Sequence, residues 1–322
     1  MSRLTATIVE GGGQAPLSLD FSDFPGIPGF TGASWAIVGG VAVNIPTLGT
    51  ESLSNGNMET GSPPTGWDTI TATPASVADE RTGGTGTKAL QVTLASGNYG
   101  TVYQAIATTI GKFHELTFWA KKGSATAGYQ TTPGSVLGVD FFPADVAWTQ
   151  YKTHYLATAA APQIRVGCYD AGTTLYDDFS DKEIIGVFAG FSFAQKFITV
   201  KGALTLAELN TFEGVFLAGN TAAPVSGVFA VGFLYAAGYI RLVLYKLVNN
   251  TYTVLATNDV AYVAGAFIEI RRTANTTFQS WYNNTQVGTD QTVSDSAIIN
   301  NTYVGMLSTG GSGNSIGSFF LL

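Results

Sequence analysis

The chain holds a single cysteine, Cys168, and only two histidines among its 322 residues. One thiol excludes an intrachain disulfide and any zinc knuckle built on cysteines; within the segment from Ile164 to Tyr169 it reads as a small buried hydrophobe. Charge is scarce too, at 11% of residues, less than half of the usual share. The 22 acidic and 15 basic side chains leave a net charge of -7, with no basic cluster longer than Lys121-Lys122 or Arg271-Arg272. Phosphate binding needs a concentrated cationic face, so nucleic acid is excluded as a partner. No apolar run approaches the ~18 residues of a membrane-spanning helix, and no membrane partner is expected. The start, Met1 to Glu10, lacks the apolar stretch of roughly 7 to 15 residues that makes a secretory signal. Either the signal has been left off, or the chain leaves the cell by a route that needs none, such as lysis.

What the sequence does hold is glycine, 39 residues, and aromatic side chains, 12%. This composition favours strands and turns over helix surface. Strand-like segments recur every ~8 to 15 residues between Gly, Asn, Pro and Ser, the spacing of a sandwich or jelly roll. Lys88 to Leu94, His114 to Ala120, Tyr239 to Tyr245 and Phe267 to Arg271 alternate apolar with polar or small residues, so one face of each is core and the other is wet. Trp119 falls on the core side of this reading. Trp35 to Val43 reads as a strand pair around Gly39-Gly40. A short segment, Thr205 to Thr211, reads equally as a helix or a loop.

Two segments read as boundaries: Pro46 to Glu51, leading into Asn55-Gly56-Asn57, and the charge-dense Asp177 to Glu183. They enclose a stretch of domain size, 51-184. Within it, Asn55-Gly-Asn-Met-Glu59, Pro64-Thr-Gly-Trp67, Lys88-Ala-Leu-Gln-Val92, Val102-Tyr-Gln-Ala-Ile106, Gly111 to Lys121 and Tyr176-Asp-Asp-Phe179 follow in order. This series resembles the jelly-roll carbohydrate-binding modules related to families 4, 9 and 22, whose pattern opens with Asn-Gly-x-Phe-Glu and closes with Asp-Asp-Val. Met58 for Phe and Phe179 for Val keep the hydrophobicity. The stretch 185-322 resembles the concanavalin A-like sandwich of laminin-G type through Ala266 to Arg271, Phe278 to Gly288, Tyr303 to Met306 and Ile316 to Phe319. Asn284 stands where that pattern has Gly. An all-β fold of two β-sandwich (jelly-roll) domains follows, with residues 1-50 completing the concanavalin A-like domain and 51-184 as an insertion.

The first resemblance implies a structural Ca²⁺ between the opening and closing strands. By position, Glu59 and Asp178 would supply side chains, with carbonyls near Asn57 and Lys88; the alternative is that both acids are simply solvated. Calcium takes six to eight oxygens, which strand ends can present. Sugar binding needs an aromatic plate for the apolar face of a pyranose. Tyr99, Tyr103, Tyr129 and Trp148 lie in or near turns and are the candidates.

Catalysis is not expected. Glycoside hydrolysis needs two opposed carboxyl groups, and the closely spaced acids of concanavalin A-like glycosidases do not occur; Glu269 is alone on its strand, and Glu208 with Glu213 lies elsewhere. Gly313-Asn-Ser-Ile-Gly317 has the spacing of a nucleophile elbow without the strand-turn-helix setting that elbow requires. The reading is of a non-catalytic protein of a virion or extracellular surface, a homo-oligomer with glycans or other virion proteins as partners. Two rival readings stand beside it: an assembly protein without glycan binding, and the accessory region of a secreted polysaccharide-degrading enzyme.

Overall fold

The structure is a computed structural model and describes residues 17-20, 34-78, 81, 83-84, 86-131, 140-193, 195 and 197-322. Met1 to Glu10, read above for an export signal, lies outside them. In chain order the first strands are β1 (Leu17–Asp20), β2 (Trp35–Val38), β3 (Val41–Asn44), β4 (Thr47–Glu51), β5 (Asp68–Thr69) and β6 (Thr73–Ala78). Next come β7 (Lys88–Ala105), β8 (Phe113–Lys122), β9 (Gly128–Thr131), β10 (Thr149–Leu156) and β11 (Gln163–Ile185). Then follow β12 (Phe188–Ser192), β13 (Thr199–Thr205), β14 (Phe212–Gly219), β15 (Gly227–Ala236), β16 (Tyr239–Val248) and β17 (Thr251–Ala261). The last are β18 (Ala266–Arg272), β19 (Thr277–Tyr282), β20 (Thr285–Thr292), β21 (Tyr303–Ser308) and β22 (Ser315–Leu321). The one helix among the described residues, α1, spans Ser296–Ile299. Thr205 to Thr211 is therefore the end of β13 and a turn, not a helix. The protein is an all-β protein built from antiparallel sheets.

The chain divides into two compact units. One comprises the described residues up to Thr47 together with Gly186–Leu322. It is a sandwich of two sheets, ordered β2-β3-β22-β13-β18-β19-β20 with β1 also on β22, and β12-β21-β14-β15-β16-β17. Its core interleaves Val200, Ile268, Ile270 and Phe319 of the first sheet with Val215, Ala230, Leu242 and Met306 of the second. Three of its hairpins turn on two residues, Gly39-Gly40, Asn249-Asn250 and Asn283-Asn284, all with φ between 48° and 84°. Two consecutive positive φ values give the turn whose twist matches that of the strands, and Asn tolerates them best after Gly. β14 is buried at every position, consistent with a sequence that runs apolar instead of alternating.

The other unit is Leu48–Ile185, and two long strands organise it. The later part of β7, Asn98 to Ala105, pairs with Gln163 to Asp170 of β11, while Leu90 to Leu94 pairs with Gly172 to Tyr176 beyond an irregularity. Early β11 also takes β9, and late β11 takes β8. The long pair thus serves both layers of a jelly-roll sandwich, which closes on Val92, Val102, Leu116, Phe118, Val166 and Tyr176.

The opening and closing motifs turn out to be structural. Met58, Trp67 and Phe179 are core residues, with the Trp67 and Phe179 rings 5.0 Å apart. The Phe179 N–H donates to the Gly56 carbonyl at 2.9 Å, and a Cβ on Gly56 would lie 2.1 Å from the Phe179 oxygen. Only glycine permits that approach. In β8 the inward residues are His114, Leu116, Phe118 and Ala120. Trp119 therefore faces away from the core, half-buried under the Arg81 guanidinium at 4.8 Å; the sequence reading had the parity of that strand reversed.

Candidate functional site

The face of the β5-β7-β11-β9 layer that points away from the core carries rings. Along β11, Ile164, Val166 and Cys168 face inward, which turns Arg165, Gly167 and Tyr169 outward. Gly167 lies opposite Thr101 of β7 and Tyr129 of β9, and Arg165 lies opposite Tyr103 and Thr131. A Cβ at Gly167 would lie 1.8 Å from the Gly100 carbonyl oxygen, so this point of the face is bare backbone, with the rings standing around it.

Four rings form one cluster. Tyr99 meets Tyr129 at 5.1 Å and Tyr169 at 5.0 Å, both edge to face. Phe142 meets Tyr129 at 5.4 Å and Tyr169 at 5.7 Å. Tyr99, Phe142 and Tyr169 remain 48%, 49% and 39% exposed. Tyr99 also has a φ of 60°, a left-handed conformation that a non-glycine residue holds at a cost and that often marks a functional position. A hydrogen bond to Tyr169 pushes the Tyr99 hydroxyl above its ordinary pKa, while burial and the nearby Asp140 push Tyr129 up. Both hydroxyls stay neutral and able to donate. Arg165, like Asp140, lies close enough to the Tyr129 hydroxyl to act on it and donates to Gln163 at 2.8 Å, while Asp170, next to Tyr169 in the chain, accepts from the Thr126 N–H and hydroxyl at 2.9 Å each.

Of the four aromatic residues named from sequence, Tyr99 and Tyr129 are in this cluster and Tyr103 lies on the same face, four residues further along β7 from Tyr99. Trp148 does not join them; it is half-buried under the Lys121 ammonium, 5.2 Å from its ring, on the β8 side of the unit. Tyr169 and Phe142 were missed. The alternation of β11 was a sufficient signal for Tyr169, since an inward Cys168 forces its neighbour outward. In Phe141-Phe142, one ring packs inward on Phe118 and the other is left outside.

The residues implied for calcium are engaged otherwise. The Glu59 carboxylate accepts from the Thr87 and Lys88 backbone N–H groups at 2.6 and 2.7 Å and from the Thr87 hydroxyl at 3.1 Å. Burial works against its charge, but these donors outweigh it and hold the carboxyl below its usual range. The Lys88 ammonium bonds the Glu59 carbonyl at 3.1 Å, and Asp178 is ion-paired with Arg81, which also bonds Asp177 at 3.0 Å. Calcium takes six to eight oxygens, and here the guanidinium and the N–H donors occupy the carboxylates that would supply them. As arranged, the Glu59 and Asp178 carboxylates, the two side chains implied for the ion beside carbonyls near Asn57 and Lys88, are held by other partners and do not fit it. Among the described residues no group of three His, Cys, Asp or Glu is placed to hold a metal.

In the other unit, Glu213 and Glu269 do not share a face. Glu213 shares the inward face of β14 with Val215 and Leu217, with the Ser308 hydroxyl 3.3 Å from its carboxyl. Glu269 lies between the core residues Ile268 and Ile270, hence on the opposite face of β18, and is bonded to Arg271 at 2.7 Å. Arg271 in turn stacks on Trp281 at 3.5 Å. Gly313 to Gly317 is a turn entering β22, and the Cys168 thiol is buried against the Val92 carbonyl at 3.3 Å.

No protein-family model matches the chain, and no curated protein does. Among solved structures it is similar to the carbohydrate-binding module CBM66 from Bacillus subtilis, at 11% identity and a TM-score of 0.30 over 43% of this chain and 81% of that one. Sheep galectin-11 matches at 12% identity and 0.31 over 42% and 98%. The tandem CBM22-1–CBM22-2 domain of Paenibacillus barcinonensis Xyn10C matches at 10% identity and 0.34 over 84% and 97%. At such values these likenesses carry no argument about this chain, whose fold rests on its own sheet topology.

Proposed function

We propose that the chain is a non-catalytic glycan-binding protein whose platform is the ring cluster of Tyr99, Tyr129, Phe142 and Tyr169. The observation that carries this reading is the exposure of three of these rings, 39% to 49%, within one cluster on one sheet face. Aromatic faces left in water in such a group suit the apolar face of a pyranose. The tyrosine hydroxyls, with Arg165 and Asp140 near Tyr129, supply hydrogen bonds to sugar hydroxyls. The face is open, so each copy binds weakly; repeated copies on a virion or other extracellular surface would raise avidity by ~100 to 10,000-fold. The rival reading, an assembly surface for further copies or other virion proteins, draws on the same exposed rings.

A bead-borne multivalent display of the full chain, applied to a glycan array, separates the two. The expected result is firm retention on at least one glycan, lost in Tyr169→Ala and in Phe142→Ala with an unchanged melting temperature. Retention that survives both substitutions refutes the platform. If no glycan is retained and the same substitutions abolish self-association in sedimentation, the assembly reading replaces it.

A further inference from the structure

A second feature of the Leu48–Ile185 unit is independent of the rings. A cleft of about 610 Å³ is lined by residues that include Thr50, Glu51, Ser52, Thr108, His114 and Glu183. His114 is 3% exposed and Asp181 fully buried, with Nδ1 3.0 Å from Asp181 Oδ2. Asp181 also accepts from the Tyr155 hydroxyl at 2.7 Å and from the Ser52 hydroxyl. A carboxylate only accepts, so Nδ1 carries a hydrogen, and in that tautomer of the singly protonated ring Nε2 presents a lone pair. Tyr155 stacks on the ring at 5.4 Å and fixes its plane. Nε2 is buried and has no hydrogen-bond partner.

A histidine whose tautomer and orientation are set by a buried carboxylate, with its other nitrogen bare, is the arrangement used wherever imidazole meets a ligand. The other polar groups of the cleft sort by whether they are spent. Glu51 accepts from the Asp181 N–H at 2.8 Å and the Ser180 hydroxyl at 2.7 Å, and the Thr108 hydroxyl donates to the Ala159 carbonyl at 2.6 Å. Glu183 keeps a third of its side chain exposed, with the Lys112 ammonium 3.9 Å away. Nε2 and the Glu183 carboxylate are both acceptors, and Lys112 offsets the charge of Glu183. The occupant must therefore bring donors and need bring no charge.

We propose that this cleft is a second ligand site, taking a small polyhydroxy compound, a monosaccharide or polyol, with one hydroxyl donating to His114 Nε2 and another to Glu183. The chain's two histidines make the test direct, because His154, bonded to Glu115 at 3.0 Å, is an internal control. Imidazole ¹⁵N spectra of the full chain are recorded against glycerol, glucose, galactose, xylose and zinc chloride. The expected result is a saturable shift of His114 Nε2 with a polyhydroxy probe, an unmoved His154, and affinity weakened at least ~10-fold in Glu183→Gln, the loss of one charge-assisted hydrogen bond. The response should persist in Tyr169→Ala, which separates this site from the ring platform. The proposal is overturned if no polyhydroxy probe moves His114, if zinc alone does, or if Glu183→Gln leaves the affinity unchanged.

Discussion

Two sets of aromatic rings, one in each unit, are put to opposite uses. In the β14-β15-β16 sheet, Phe212 stacks on its register partner Phe233 at 4.6 Å, and Phe229 on its partner Tyr245 at 4.7 Å, all four fully buried. On the β7-β11-β9 face, rings at similar spacing meet edge to face and stay in water. Ring content and ring proximity therefore do not distinguish a core from a platform; exposure does. The sharpest test of this difference is a pair of truncations. Phe229→Ala should destabilise its unit by about 3 to 5 kcal/mol, whereas Tyr169→Ala should change stability by no more than about 0.5 kcal/mol. Denaturant melts of the full chain measure both, and equal losses would erase the distinction.

The same contrast explains what was legible in the sequence. Strands with clean alternation announce themselves, as Phe267 to Arg271 and Lys88 to Leu94 do, and paired Gly or Asn at 39-40 and 283-284 mark hairpins because few residues accept two positive φ values. The ring cluster was only half legible. Tyr99 and Tyr129 advertise themselves by lying near turns, but Phe142 reaches the cluster from the segment after β9 by tertiary packing, which no local pattern encodes. Trp119 shows how parity fails: His114 is polar yet faces inward, because Asp181 is buried to receive it. An inward polar residue is invisible to a pattern that sorts by hydrophobicity.

Buried acids extend the comparison to pH, with opposite signs in the two units. Burial alone would raise the Glu115 carboxyl, but the His154 hydrogen bond and Lys152 at 3.2 Å outweigh it and lower its pKa to about 2. The unfolded chain binds that proton near the ordinary 4.5. The stability Glu115 contributes is therefore present above about pH 4.5 and is lost as pH falls toward 2. Glu213 is the reverse: burial raises its carboxyl well above 4.5, and the Ser308 hydroxyl only partly opposes this. Its folded form keeps a proton that the unfolded chain releases, so stability is lost as pH rises from 4.5 toward the raised value. Melting temperatures of the full chain across pH should show Glu115→Gln flattening the acid side and Glu213→Gln flattening the decline on the rising side. A Glu213→Gln variant with an unchanged slope would mean that the carboxyl is ionised in the fold.

The smallest expected effect is that of calcium. An ion that binds only the folded state raises the melting temperature by mass action, and the family resemblance of Asn55 to Phe179 implies such an ion between opening and closing strands. In this chain the two ends are instead tied by the Phe179 N–H on the Gly56 carbonyl, and Arg81 holds both acids of the closing motif, Asp177 and Asp178. The donors on Glu59 would have to be displaced before a cation could use its oxygens, and each would lose a charge-assisted bond. Melting temperatures in calcium and in chelator should therefore coincide. Arg81→Ala should lower the melting temperature, because it leaves Asp177, fully buried, without its guanidinium. A clear rise with calcium in the unaltered chain would show that the ion outcompetes Arg81 and Lys88, and that the motifs from Asn55 to Phe179 bind metal.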